Sequence, residues 1–87
     1  RAAGKIAEKL RAVAKNKQVL CITHLAQLAS KADNHYLIEK NVTDGKTATT
    51  VTLLSEQRRI EEIARIMGGS QVTQTTLDAA RELIENR

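Results

Sequence analysis

Apolar residues recur at Ala3, Ile6, Ala7, Leu10, Val13 and Ala14, with Lys and Arg filling the opposite side. That 3.6-residue period predicts an amphipathic helix over 3–14. The polar patch Lys15-Asn16-Lys17-Gln18 ends it, and Val19-Leu20-Cys21-Ile22 follows as an unbroken apolar run with two β-branched members. Such runs mark strands buried on both faces, the usual state of a parallel sheet. A helix followed by a buried strand is the second half of a βαβ unit, whose first strand would lie upstream of residue 1. Leu25, Leu28, Ala29 and Ala32 again share one helical face and predict a short helix over 25–32.

Residues 35–40 and 47–54 read as two further strands, the latter rich in Thr and Val and polar enough for one face to meet water. Between them lies NVTDGKT, whose Asp44-Gly45 step supplies the positive φ that a tight hairpin turn requires. Ser55 is placed to cap a helix with Ile60, Ile63, Ala64 and Met67 inward, and Glu56 sits favourably at its positive end. Gly68-Gly69 should terminate that helix. A last helix over 75–85 has Thr73 as its candidate cap and Leu77, Ala80 and Ile84 inward. The predicted order is α-β-α-β-β-α-α, an α/β arrangement in which residues 1–87 form a single unit without repeats or low-complexity linkers.

Composition narrows the class. A free-standing domain of 87 residues buries only about 60–65% of its unfolded surface, so its stability is modest. Tyr36 is the one aromatic residue, leaving Ala, Leu, Ile and Val to fill the interior. The chain opens at Arg1 within a helical pattern, as expected of a piece of a longer protein. One cysteine, Cys21, excludes an internal disulfide and fits a reducing, cytoplasmic compartment. No run of about 18 apolar residues is present, so no membrane span is expected. Charge is uneven: residues 1–17 hold six basic side chains against Glu8, a local +5 within a total of +4, leaving −1 for the rest. A basic helix can touch nucleic acid or an acidic partner, or simply form a solvated face. Without aromatic platforms, stacking of single-stranded bases is not expected.

The sharpest candidate for chemistry is His24, two residues beyond the apolar run. Ligands of open α/β sheets bind beyond the carboxyl ends of parallel strands, where an imidazole can bond a phosphate oxygen or position a water. A structural histidine bonded to a neighbouring loop is equally compatible with the geometry. His24 and His35 lie eleven residues apart, and Cys21-x-x-His24 lacks a second ligand pair, so no metal site is expected and Cys21 reads as a small core residue. Ser30 and Ser55 lack the glycine-flanked elbow of a hydrolase nucleophile. The chain contains no Gly-x-x-x-x-Gly-Lys-Ser/Thr loop and no acidic pair after a hydrophobic strand, hence no complete active site. Arg58, Arg59, Glu61, Glu62 and Arg65 read as a charge-laced helix surface with Arg58–Glu62 and Glu61–Arg65 pairs at i,i+4.

Two stretches carry a resemblance beyond patterning. VLCITHLAQLASKADNHYLIEK resembles the switch-histidine segment of the RecN family of bacterial DNA repair ATPases, relatives of the SMC and ABC proteins. LSEQRRIEEIARIMGG is similar to the segment after the hairpin in the same family, and RAAGKIAEKL to the helix after the loop that follows the Walker B strand. The resemblance implies the C-terminal part of a P-loop ATPase head. His24 would be the switch histidine that reaches the γ-phosphate of ATP, its catalytic and nucleotide-binding residue, and Arg1 would lie just past the loop that meets the partner head. It further implies ATP and Mg as cofactors of the parent, with Walker A, Walker B and signature residues outside these 87, so that the piece alone should be inactive. Implied partners are the remainder of the head, a second head in a homodimer, and DNA; no membrane is implied, and the setting is nucleoid-associated. The implied task is recombinational repair of double-strand breaks. The alternatives are a head fragment of another SMC-like or ABC-type ATPase, or a small basic adaptor for DNA or protein.

Overall fold

The computed structural model describes residues 2–86. They form α1 (Ala2–Ala14), α2 (Ala26–Ala29), β1 (Tyr36–Thr43), β2 (Lys46–Leu53), α3 (Glu56–Gly68) and α4 (Gln74–Glu85). The observed order is therefore α-α-β-β-α-α. Helices and an antiparallel hairpin are present, but the parallel-type strand at Val19–Ile22 is not. That run is extended without strand partners, with Leu20 84% and Ile22 91% exposed. The physical reason is plain: a strand satisfies its backbone only through neighbours. The one sheet among the described residues pairs β1 with β2 alone. Arg1, expected near a partner head, lies outside the described residues.

Local chemistry sets most boundaries. The Ser55 side chain accepts the Arg58 N–H at 3.2 Å and starts α3, and Gly69 ends it at φ 63° with its N–H bonded to the Arg65 carbonyl. Thr73 does for α4 what Ser55 does for α3, accepting the Thr76 N–H at 3.2 Å. At the hairpin tip Asp44 and Gly45 take φ of 52° and 75°, the two successive positive values of a type I′ turn. The predicted 25–32 helix shrinks to the single turn of α2.

The core is the seam between α3 and α4: Ile60, Ile63 and Ala64 meet Ala80 and Ile84, with Ala26 and Ala29 of α2 and Leu77 and Leu83 packed against them. Alanines at the centre allow the two helices to approach closely, which compensates for the lack of large side chains. Met67, expected inward, is exposed at the end of α3. Alternate residues place Tyr36, Ile38 and Val42 on one face of the hairpin with their partners Leu53 and Val51, and all five are exposed. The hairpin joins the helices through buried Leu54, whose N–H donates to the His35 carbonyl at 2.9 Å.

Ile63 is fully buried at the centre of this seam. Ile63→Ala should remove about 2–5 kcal/mol of stability, most of what a chain this small possesses. Urea unfolding followed by far-ultraviolet circular dichroism measures it; an unchanged midpoint would show that the α3–α4 seam is not the core.

Candidate functional site

His24 stands at the end of the extended run, exposed, and its imidazole has no hydrogen-bond partner among the described residues. The backbone around it is held more firmly than the ring. The Thr23 hydroxyl accepts the Leu25 N–H at 3.0 Å, turning the chain from the extended run into α2. An open groove lies beside this turn, with Leu25 and Ala26 on one wall and Met67, Ala79 and Leu83 on the other. Cys21, expected in the core, is exposed along with Leu20 and Ile22, because the sheet that would cover it is not formed by this chain. Among the described residues, no group of three His, Cys, Asp or Glu is placed to hold a metal.

The far end of α2 is fixed by a residue that the sequence pattern assigned to the solvated surface. Arg59 is only 3% exposed, and its Nη2 donates to the carbonyls of Ala29 at 3.1 Å, Ser30 at 3.2 Å and also Ala32. The three carbonyls lie at and just past the end of α2, where a helix leaves acceptors short of partners, and Ala29 O also accepts the Ala32 N–H at 3.3 Å. All three Arg59 contacts come from the two N–H groups of Nη2, so at least one hydrogen is shared. Each such charge-assisted bond contributes about 1.5–3 kcal/mol before the cost of burying the charge, which offsets a large part. Ser30, fully buried, adds an Oγ–H bond back to the Gln27 carbonyl at 3.1 Å. A signal was available: Arg59 lies four residues before Ile63 and therefore on the buried side of α3. The surface ion pairs also differ from expectation, forming at i,i+3 as Arg58–Glu61 at 4.0 Å and a tighter Arg65–Glu62 pair.

His35 belongs to the same locality. Its Nδ1 is buried without a hydrogen-bond partner. Burial pushes its pKa below 6.5, the Arg59 guanidinium adds to that, and Glu62 opposes both. On α1 the basic side chains Lys5, Lys9 and Arg11 are exposed, as are Lys15 and Lys17 just beyond it. Arg11 also reaches the Lys31 carbonyl at 3.5 Å, drawing α1 toward the segment after α2.

With this geometry in place, relatives can be compared. No family model matches the chain. It is 47% identical over 85 residues to the DNA repair protein RecN of Bacillus subtilis, an alignment that takes in 98% of this chain and 15% of that protein. It is 47% identical over 79 residues to RecN of Deinococcus radiodurans, covering 91% of this chain and 14% of the relative. RecN of Vibrio cholerae is 40% identical over 79 residues, with the same coverage of 91% and 14%. The chain thus spans 14–15% of the length of these curated relatives.

The buried imidazole of His35 gives a pH dependence of defined sign. Its folded pKa lies below the 6.5 of the unfolded chain, so the unfolded state binds the proton first. Its contribution to stability is complete above 6.5 and is lost as pH falls from 6.5 toward the folded value. The urea midpoint should therefore drop more between pH 7.5 and 5.5 in the wild type than in His35→Gln; equal drops would show that His35 titrates normally.

Proposed function

Given a chain that belongs, as a segment, to the family of the DNA repair protein RecN, we propose that residues 1–87 act in DNA double-strand break repair as the C-terminal lobe of an ATP-binding head of the P-loop, ABC/SMC type. The observation that carries the reading is the apolar run Val19–Ile22, exposed at Leu20, Cys21 and Ile22 and ending at an exposed His24 whose imidazole takes no partner among the described residues. Leu20 and Ile22 would each gain about 1.5–3 kcal/mol from being covered, and the backbone between them has unpaired donors and acceptors to offer. A parallel sheet supplied by the rest of the parent protein satisfies both needs. It also sets His24 at the carboxyl end of the strand, where ligands of such sheets bind.

His24 fits a nucleotide's terminal phosphate: it is accessible, free to donate through either ring nitrogen, and held by a backbone turn rather than by its own side-chain bonds. The chain offers no glycine-rich phosphate loop and no acidic pair for magnesium, so ATP and Mg would be held mainly by residues outside it. ATP with magnesium supplies, when bound, the phosphoanhydride whose hydrolysis drives the cycle. His24 contributes one hydrogen bond directed at the outermost oxygens and thereby distinguishes bound triphosphate from diphosphate. The partners are the remainder of the head, a second head and DNA, in a nucleoid setting. None of the described helices is long and apolar enough to cross a membrane.

In the full-length protein, His24→Ala should lower ATP turnover by about 100-fold or more, the low end of the range for one well-placed acid–base group. Thermal unfolding should not move, since the ring packs against nothing. Turnover at the wild-type rate would remove His24 from the site.

A further inference from the structure

We infer that Arg59 is a positioning residue for His24, linking the site to α3 through the carbonyl end of α2. The inference rests on the reading of His24 above. On its C-terminal side His24 is anchored through the backbone: the Thr23–Leu25 turn holds it to the start of α2, and α2 is four residues long. So short a helix cannot hold its own shape in water, and its amino end has no side-chain cap. Its orientation is therefore set from outside, by α1 packed against it, by Ala26 and Ala29 on the core, and by Arg59 Nη2 on the carbonyls of Ala29, Ser30 and Ala32. A displacement of α3 along its axis carries Arg59, the end of α2 and the turn bearing His24 together.

One imidazole adds little to ground-state nucleotide affinity, so a misplaced His24 shows in kcat rather than KM. A misplacement on the ångström scale is enough to matter. Lysine in place of Arg59 keeps the charge, but its shorter side chain does not carry the donors to where Nη2 meets the three carbonyls, and methionine keeps neither charge nor donors.

The test uses the full-length protein, with steady-state ATP turnover of His24→Ala, Arg59→Lys, Arg59→Met and the double variant His24→Ala/Arg59→Lys. Arg59→Met should lower kcat about tenfold or more with KM for ATP within about twofold, and Arg59→Lys should fall between it and the wild type. Adding Arg59→Lys to His24→Ala should cost less than about twofold more, because a lever has nothing left to position. Should Arg59→Met fail to fold, the lysine variant and the double variant decide. Impaired His24→Ala beside an unaffected Arg59→Lys overturns the inference and leaves the site reading standing. Losses that multiply in the double variant reduce Arg59 to a structural role and overturn it equally. Wild-type turnover of His24→Ala overturns the site reading and the inference with it.

Discussion

The buried guanidinium of Arg59, directed at the carbonyls of Ala29, Ser30 and Ala32, fixes how the chain leaves α2 and where the hairpin departs from the helices. Acceptors buried or half-buried at the end of a single helical turn would be costly to leave unpaired. The cation satisfies them from a helix that begins 27 residues later than α2 ends, in a contact spanning 27–30 positions of sequence. The same charge sits close enough to His35 to disfavour its protonation, so clamp and imidazole form one electrostatic unit. Around that unit the α3–α4 seam supplies the apolar burial, with alanines where a larger core would use aromatic rings.

Outside the seam the chain keeps much apolar surface in water. Ile6 and Val13 lie along one edge of α1, Leu20 and Ile22 on the extended run, and five apolar side chains on one face of the hairpin. A two-stranded hairpin has little stability by itself, and contiguous apolar surface of this kind marks sites that are covered in the working protein. A segment that matches 14–15% of its relatives' length would leave such surfaces where it meets the rest of the protein. On the proposed reading, the exposed run is where the surface offered to the rest of the protein and the candidate site coincide.

What could be read from residues alone divides along the range of the interaction concerned. Ser55, Thr73, Gly69 and the Asp44-Gly45 turn depend on atoms within four positions, and each stands where its chemistry demands. The stripes of α3 and α4 are readable, apart from Met67 at the exposed end of α3, because a helix repeats its buried face every turn. Val19–Ile22 carries the composition of a buried strand, yet strand formation requires partners this chain does not provide, so composition and conformation separate there. Arg59 shows the reverse failure. Its charge argued for solvent, whereas its position above Ile63 and a set of unpaired carbonyls far away in sequence drew it inside. The position of His24 at the end of the run was readable from the pattern; its exposure was not, because exposure depends on neighbours.

The account holds that Val19–His24 is a strand and a site only when the rest of the protein supplies the sheet. Amide hydrogen exchange of Leu20, Cys21 and Ile22, compared between the 87-residue chain and the full-length protein, tests that most directly. These amides should exchange near the rate of an unstructured peptide in the 87-residue chain and at least about 100-fold more slowly in the full-length protein. Fast exchange in both would contradict the account, because the run would then be a surface loop and His24 would have no strand to deliver it.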